Sequence, residues 1–415
     1  PNNTPLTFSA VGLPTGLSIN SASGVIAGSP SVAGTSSVTV TASDGALSAS
    51  RTFTWTVVDP PPAAPIDPST MDLAVDLGAN GLWVKYADTG WKKLDARNPG
   101  EMASGDVDGN GQSDLIVNFP GQGLWIWMND AQWVQLHTSN SGPVITADLD
   151  GQGKSAVVAN LPTGLWVWRY TAGWVQLHKM ATGAMASGDL DGNGRAELVI
   201  DFSLSSGVWI WNPTTQSWSQ LSPASASKIA IGDLDGNGRK DVLIDLTGAG
   251  IWIWRNNASW FQLHAFNVVA MALGDLDGNG QDEAVIDLAG KGIWAWWNFT
   301  AATQLDTRDA EALTAVNLDS NGRSELVIDL GATGLWGWAT NATLTQLQSQ
   351  NAQGTVAGKF RQQSAQATVN SAPTLTQPSN QSSAVFASVS LTLSAGDANG
   401  TPLTFSPVGL PSGLS

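Results

Sequence analysis

The sequence predicts an all-β protein: a seven-bladed β-propeller whose last blade is closed by N- and C-terminal strands, flanked by partial β-sandwich segments. Three observations predict it. An acidic, glycine-rich octet recurs, as GDLDGNGR at 188–195 and 232–239, GDLDGNGQ at 274–281 and GDVDGNGQ at 105–112. The unit around it repeats every 41 to 44 residues, counted from Asp106 through Asp148, Asp189, Asp233 and Asp275 to Asn317. Each unit holds four short apolar runs divided by turn residues, and four strands at a period in the low forties are the signature of a propeller blade.

Within a unit the first run is a strand of small residues, such as MASG (185–188) or IAIG (229–232). The acidic loop follows, then an apolar run such as ELVIDF (197–202) or VLIDL (242–246). Next comes GLWVW (164–168) or GIWIW (250–254), and last GWVQLH (173–178) or SWFQLH (259–264). Six complete units begin near residues 101, 143, 184, 228, 270 and 312. Before them MDLAVDL (71–77), GLWVKY (81–86) and GWKKL (90–94) supply three strands of a further unit. Its missing first strand stands at the far end, where GTVAGKF (354–360) matches AMASGDL (184–190), with Lys359 in the Asp position. Pairing the two ends in one blade closes a ring of seven and leaves no open array edge.

Of the 20 tryptophans, one opens the third strand of every unit, from Trp83 to Trp336, and a second follows two residues later in six units, Lys85 replacing it in the incomplete one. Alternate strand residues share a face, so each pair points the same way. Uniform placement favours blade-to-blade core, where large rings contribute most, over sugar-stacking platforms.

Composition excludes several classes. The net charge is −16, from 34 acidic and 18 basic residues. This argues against nucleic acid, which needs basic patches, and against anionic membrane surfaces. There is no cysteine, hence no disulfide framework. No apolar run is long enough to span a bilayer. The sequence begins at Pro1 without an initiator Met or a signal peptide, as expected for a piece of a longer or processed protein. Scarce lysine with abundant Gly, Ser, Thr, Ala and Asn suits an extracellular or cell-surface location.

The octet explains the acidity. In loop 189–197, Asp189, Asp191 and Asn193 hold positions one, three and five, Arg195 offers a carbonyl at seven, and Glu197 closes at nine. Alternating oxygen side chains on a glycine-hinged loop suit Ca²⁺, which takes six to eight hard oxygen ligands. The same set recurs as Asp106, Asp108, Asn110 and Asp114; as Asp233, Asp235, Asn237 and Asp241; and as Asp275, Asp277, Asn279 and Glu283. Asp/Asn-Gly turns without metal are the competing reading. Four copies with three crowded carboxylates each favour the cation. The second loop is degraded: Asp148 and Asp150 remain, but Gln152 and Ala156 replace the Asn and the closing acid. The sixth keeps Asn317, Asp319, Asn321 and Glu325, with Ser320 for the first Gly. The closing blade shows no acidic loop.

GDLDGNGRAELVIDF resembles the FG-GAP/VCBS repeats of integrin-α-like propellers over about residues 71–361. The resemblance implies calcium loops between the first two strands of a blade. The Phe-Gly and Gly-Ala-Pro signatures of integrins are mostly absent, so it implies the shorter bacterial type and no integrin-like ligand site. Residues 12–45 resemble the Ig-like, cadherin-like repeats of bacterial surface proteins. The expected organisation is an Ig-like part at 1–58, a Pro-rich linker at 59–70, the propeller at 71–361, a linker at 362–372, and the opening of another Ig-like domain at 373–415. TPLTFSPVGLPSGLS (401–415) repeats TPLTFSAVGLPTGLS (4–18) with two differences, Ala10/Pro407 and Thr15/Ser412. Half sandwiches are unstable alone, so each expects its complement in a neighbouring copy, in the same chain or an adjacent subunit, head to tail.

No catalytic constellation stands out. His137, His178 and His264 follow QL at the end of the fourth strand in different blades, where symmetry keeps them apart. Asp76, Asn118, Asn160, Asp201, Asp245, Asp287 and Asp329 form a second ring at the end of the second strand, suited to accepting turn amides. The expectation is no enzyme, but a structural and adhesive unit of a giant extracellular tandem-repeat protein forming a calcium-stabilised stalk or filament. The alternative is a lectin-like module binding an extracellular glycan. No nucleic acid and no membrane insertion are expected.

Overall fold

A computed structural model describes residues 6–28, 34–57, 70–87, 89–202, 206–299, 301–319, 321–339 and 344–361, with the backbone of 374–375 and 395–396. The chain divides into two compact units, Pro1–Ala64 and Pro65–Ser415. The expected linkers 59–70 and 362–372 and the segment 373–415 lie outside the described residues, apart from residue 70 and a short pairing of Thr374–Leu375 with Ala395–Gly396.

In the first unit, Gly34–Ser43 is the central strand of a three-stranded antiparallel sheet, flanked by Thr7–Val11 and Ser48–Val57. A separate hairpin pairs Leu17–Ile19 with Ile26–Gly28. Among its described residues Val38 is the one fully buried hydrophobic, while Val11, Leu47 and Phe53 are exposed.

The second unit contains seven four-stranded antiparallel sheets. Blade 1 runs Met102–Gly105, Asp114–Phe119, Gly123–Met128, Gln132–His137, and blade 2 runs Val144–Ala147, Ala156–Leu161, Gly164–Arg169, Gly173–His178. Blade 3 is Met185–Gly188, Glu197–Asp201, Val208–Asn212, Ser217–Ser222; blade 4 is Ala226–Gly232, Asp241–Leu246, Gly250–Arg255, Ser259–His264. Blade 5 is Ala270–Gly274, Glu283–Leu288, Gly292–Trp297, Ala301–Asp306; blade 6 is Ala312–Val316, Glu325–Asp329, Leu335–Trp338, Leu344–Gln348. Blade 7 joins the two ends of the propeller, with Gly354–Gly358 paired on Asp72–Asp76, followed by Leu82–Tyr86 and Gly90–Asp95.

The first strands of successive blades touch in a closed cycle, blade 7 meeting blade 1. One hydrogen bond per junction repeats around that cycle. The carbonyl of each loop's first residue accepts an amide of the next blade: Asp106 from Ser155, Asp148 from Ala196, Asp189 from Lys240, Asp233 from Asp282, and Asp275 from Ser324. Asn317 accepts from Met71 and Lys359 from Ser113, which completes the ring at the closing blade. The fold is therefore a seven-bladed β-propeller.

Radial position explains the strand types. First strands crowd the axis and need small residues: a Cβ built at Gly188 would lie 2.4 Å from Ile231 Cγ2 of the next blade. Second strands are sandwiched on both faces, so Asp114–Phe119 and Asp241–Leu246 are buried throughout, each with a three-residue apolar run between a leading Asp and a polar Asn or Asp. Third strands alternate, with Leu124, Ile126 and Met128 buried and Trp125 and Trp127 half-buried. The tryptophans pack against the core between blades, as expected, but few are fully buried. Trp211 and Trp338 are buried, but the other propeller tryptophans keep an exposed edge, because the gap between blades widens away from the axis. Several indole N–H groups reach turn carbonyls, Trp125 to Gln122 at 3.0 Å and Trp252 to Ala249 at 2.9 Å, and others reach turn side chains, as Trp127 reaches Asp130. They seal the outer part of each blade interface and leave its centre to Leu, Ile and Val.

Candidate metal centres

Each acidic loop connects the first and second strands of its blade. Its first Asp organises the turn. Asp189 Oδ1 accepts the amides of Gly192 (2.7 Å) and Asn193 (3.0 Å), and Oδ2 accepts that of Gly194 (2.8 Å). Asp106, Asp148, Asp233 and Asp275 do the same in their loops. The closing acid is the buried first residue of the second strand, and one of its oxygens accepts the amide at loop position two: Val107 to Asp114 at 3.0 Å, Leu190 to Glu197 at 2.9 Å, Leu276 to Glu283 at 2.9 Å.

In four blades the loop draws three carboxylates together, each offering one oxygen within 4.8 Å of the others: Asp106, Asp108 and Asp114; Asp189, Asp191 and Glu197; Asp233, Asp235 and Asp241; Asp275, Asp277 and Glu283. Asn110, Asn193, Asn237 and Asn279 sit between them on the turn, and the side-chain oxygens of the first two accept the amides of Gln112 and Arg195. Like charges about 4 Å apart cost roughly 4 kcal/mol per pair at an effective dielectric near 20. Burial, against the Leu190 and Leu276 hydrogen bonds and helped by the neighbouring Asp pairs, pushes Glu197 and Glu283 up to about 7. Asp114 and Asp241 rise to about 6, again chiefly through burial.

The donor set fits a hard divalent cation. All donors are oxygens, three are carboxylates, and Oδ1 of Asp235 is buried with no hydrogen-bond partner. The other two loops differ. Asp148 and Asp150 of blade 2 have no third carboxylate, since Ala156 takes the closing position. Asn317, Asp319, Asn321 and Glu325 of blade 6 supply two acids, with Glu325 accepting Leu318 N–H at 2.7 Å.

Two features escaped the sequence reading. The first is an asparagine at the end of the third strand or in the turn after it. Asn129 Nδ2 donates to Asp108 Oδ2 at 2.9 Å, Asn256 Nδ2 to Asp235 Oδ2 at 2.8 Å, and Asn212 Nδ2 to Glu197 Oε1 at 3.1 Å. Each thereby fixes one oxygen of an acid, and in blade 4 the second oxygen, Asp235 Oδ1, is the one left without a hydrogen bond. The signal was in the repeat: Asn129, Asn212, Asn256 and Asn298 occur in the four blades with complete loops, whereas Tyr170 follows the third strand in blade 2. The second feature stitches loop to loop. The side chain at position seven lies across the first loop glycine of the preceding blade, so a Cβ at Gly192 would come 3.0 Å from Arg239 Nε, and one at Gly278 equally close to Arg323 Nε.

The remaining polar rings are turn devices. Nδ1 of His137, His178 and His264 accepts the amide two residues on, as Ser222, Asp95 and Asp306 do in other blades. In the second ring, Asp76 accepts Gly78 N–H, Asp329 accepts Gly331 N–H, and Asn118 and Asp287 accept amides of the following linker, from Ser141 and Ala310.

Fold and loops thus define a β-propeller with, among the described residues, four acidic clusters that could hold a metal ion. Residues 1–58 match the family model described as Putative Ig domain. Comparison with curated proteins finds no match. Among solved structures the chain is similar to an Agrocybe aegerita lectin determined for its recognition of non-reducing terminal N-acetylglucosamine, at 14% identity over 69% of this chain and 91% of that one, with a TM-score of 0.49. It is also similar to the Dos1 propeller (12% identity, 62% and 72% covered, TM-score 0.43) and to the dihydro-heme d1 dehydrogenase NirN (12%, 72% and 77%, TM-score 0.47). Scores of this size carry no functional argument, and the architecture rests on the strand order and the ring of contacts.

Proposed function

We propose that the chain is a structural and adhesive repeat unit of an extracellular tandem-repeat protein, with an FG-GAP/VCBS-type propeller that calcium stiffens and Ig-like segments that join successive units. The single observation behind this reading is the fourfold recurrence of three converging carboxylates between the first and second strands. Asp106, Asp108, Asn110 and Asp114, with their counterparts in blades 3, 4 and 5, would hold the ion, which supplies the positive charge that three adjacent carboxylates lack. Extracellular calcium modules work at about 10⁻⁴–10⁻³ M affinity, and a ligand that binds only the folded state stabilises by mass action. Thermal unfolding with calcium and with chelator tests the reading. A large chelator-induced drop supports it, and an unchanged midpoint refutes it.

The joining role rests on the near-identity of 4–18 and 401–415 and on the thin core of the first unit, which exposes Val11, Leu47 and Phe53. A heterologous head-to-tail contact whose rotation does not close into a ring builds a filament. Denaturing mass measurement of the native protein separates a continuous chain of many periods from subunits near 43 kDa. Among the described residues no helix is long and apolar enough to cross a membrane.

One feature favours a glycan-binding second reading. In blade 2 the exposed ring of Tyr170 borders a small pocket with Asp150, Lys154 and Arg169, breaking the symmetry of the ring. A saturable glycan response lost in Tyr170→Ala supports that role, and no response across a glycan panel removes it.

A further inference from the structure

Blade 7 lacks an acidic loop but keeps the place where one would close. Asp72 is the buried first residue of its second strand, as Asp114 is in blade 1. Its two oxygens occupy the same cradle. Oδ1 accepts Ala87 N–H at 3.0 Å, where Asp114 Oδ1 accepts Asn129 N–H at 3.0 Å. Oδ2 accepts Phe360 N–H at 3.1 Å, where Asp114 Oδ2 accepts Val107 N–H at 3.0 Å. This alignment places Lys359 and Arg361 at loop positions one and three, the positions of Asp106 and Asp108. Both ligand carboxylates have become cations around a retained acid.

Arg361 is held in place. Its guanidinium lies 4.5 Å from the centre of the Tyr86 ring and donates to Thr89 Oγ1 at 3.2 Å. Tyr86 is itself buried and donates to Asp130 of blade 1 at 2.5 Å, so the cation is tied to the seam between the closing blade and its neighbour. Burial raises Asp72, the amides of Ala87 and Phe360 oppose that, and the charge of Arg361 opposes it further. Lys85, in place of the second Trp, is a further cation near Asp72 and Glu325. A buried carboxylate is costly unless a nearby charge offsets it, and an always-charged guanidinium is suited to that.

We infer that Arg361 is the built-in cation of the closing blade, serving Asp72 as a bound metal serves the closing acids of the four acidic loops. The joint between the two ends of the propeller then holds whether or not calcium is present. This rests on the calcium reading of those loops, and the test keeps the two separable. Hydrogen exchange is followed on the full chain in millimolar calcium and in chelator. The expected result is lost protection in loops 106–114, 189–197, 233–241 and 275–283, with strands Gly354–Gly358 and Asp72–Asp76 unchanged. In Arg361→Met those two strands should lose protection even in calcium while the acidic loops keep theirs, and Arg361→Lys should restore part of the loss. Closing strands that open in chelator as readily as the loops, or that ignore Arg361→Met, overturn the inference. Loops that ignore chelator overturn the calcium reading instead, and the two failures appear in different peptides. If Arg361→Met does not fold, the Arg361→Lys protein and the chelator comparison on the parent chain still decide.

Discussion

Asp287→Asn should stabilise the propeller at neutral and basic pH. Asp287 is wholly buried; its Oδ2 accepts Ala310 N–H at 2.8 Å and its Oδ1 has no hydrogen-bond partner. Burial pushes the carboxyl from 3.8 up to about 6, against the Ala310 hydrogen bond, and nearby Asp309 adds to the rise. A folded value above the unfolded one disfavours the ionised group in the fold. Its contribution to stability is therefore intact below about pH 4 and is lost as pH rises through about 6. Two pKa units correspond to a ceiling of about 3 kcal/mol. Asparagine already occupies this place in blades 1 and 2, where Asn160 Nδ2 donates to Thr182 O at 3.3 Å. The longer donor contact reduces the expected gain to about 1–2 kcal/mol, since a typical hydrogen bond nets ~1 kcal/mol. Each kcal/mol moves the midpoint of a chain this size by roughly 1–2 °C. Calorimetric scans in calcium should show Asp287→Asn about 2–3 °C above the parent near pH 8 and level with it near pH 4. A variant that melts lower than the parent by the same margin at both pH values refutes the reasoning.

Other outcomes follow from the same geometry. The raised closing acids Asp114, Glu197, Asp241 and Glu283 oppose folding of the metal-free chain as pH climbs through about 6 to 7, while calcium needs them ionised, so midpoints with and without calcium should diverge from acid to neutral pH; a constant gap would contradict this. Asn256→Ala should weaken calcium binding in blade 4 without emptying it, read by calorimetry as one site of reduced affinity, because Asp235 loses its 2.8 Å tether. Gly192→Ala should destabilise more than Gly194→Ala in chemical unfolding: both have left-handed backbones, at φ 79° and 84°, but only the first also meets Arg239. Equal losses would show that strain alone decides, at about 1 kcal/mol each.

The blade period, the closure at residues 354–360 and the four complete loops were all legible, because each repeats in one register and local chemistry explains it. Other features depended on depth or on contacts across blades. Alternation showed that Trp125 and Trp127 share a face but not how far from the axis that face lies. The tether from Asn129 to Asp108 spans 21 residues and two hairpins, and shows in sequence only when the blades are laid side by side. Asp72 was hidden because its loop partners Lys359 and Arg361 sit at the other end of the propeller, so no local motif surrounds it.

If calcium stiffens the propeller as proposed, blades 1, 3, 4 and 5 each hold an ion while blades 2, 6 and 7 bind more weakly or not at all. Calcium titration of chelator-treated protein by calorimetry, with single Asp108→Ala, Asp191→Ala, Asp235→Ala and Asp277→Ala variants, tests it most directly. Four sites that fill by about 1 mM calcium are expected, one fewer in each variant, and no change in that number for Asp150→Ala. A chain that binds no calcium, or whose stoichiometry is the same in all four variants, would contradict it.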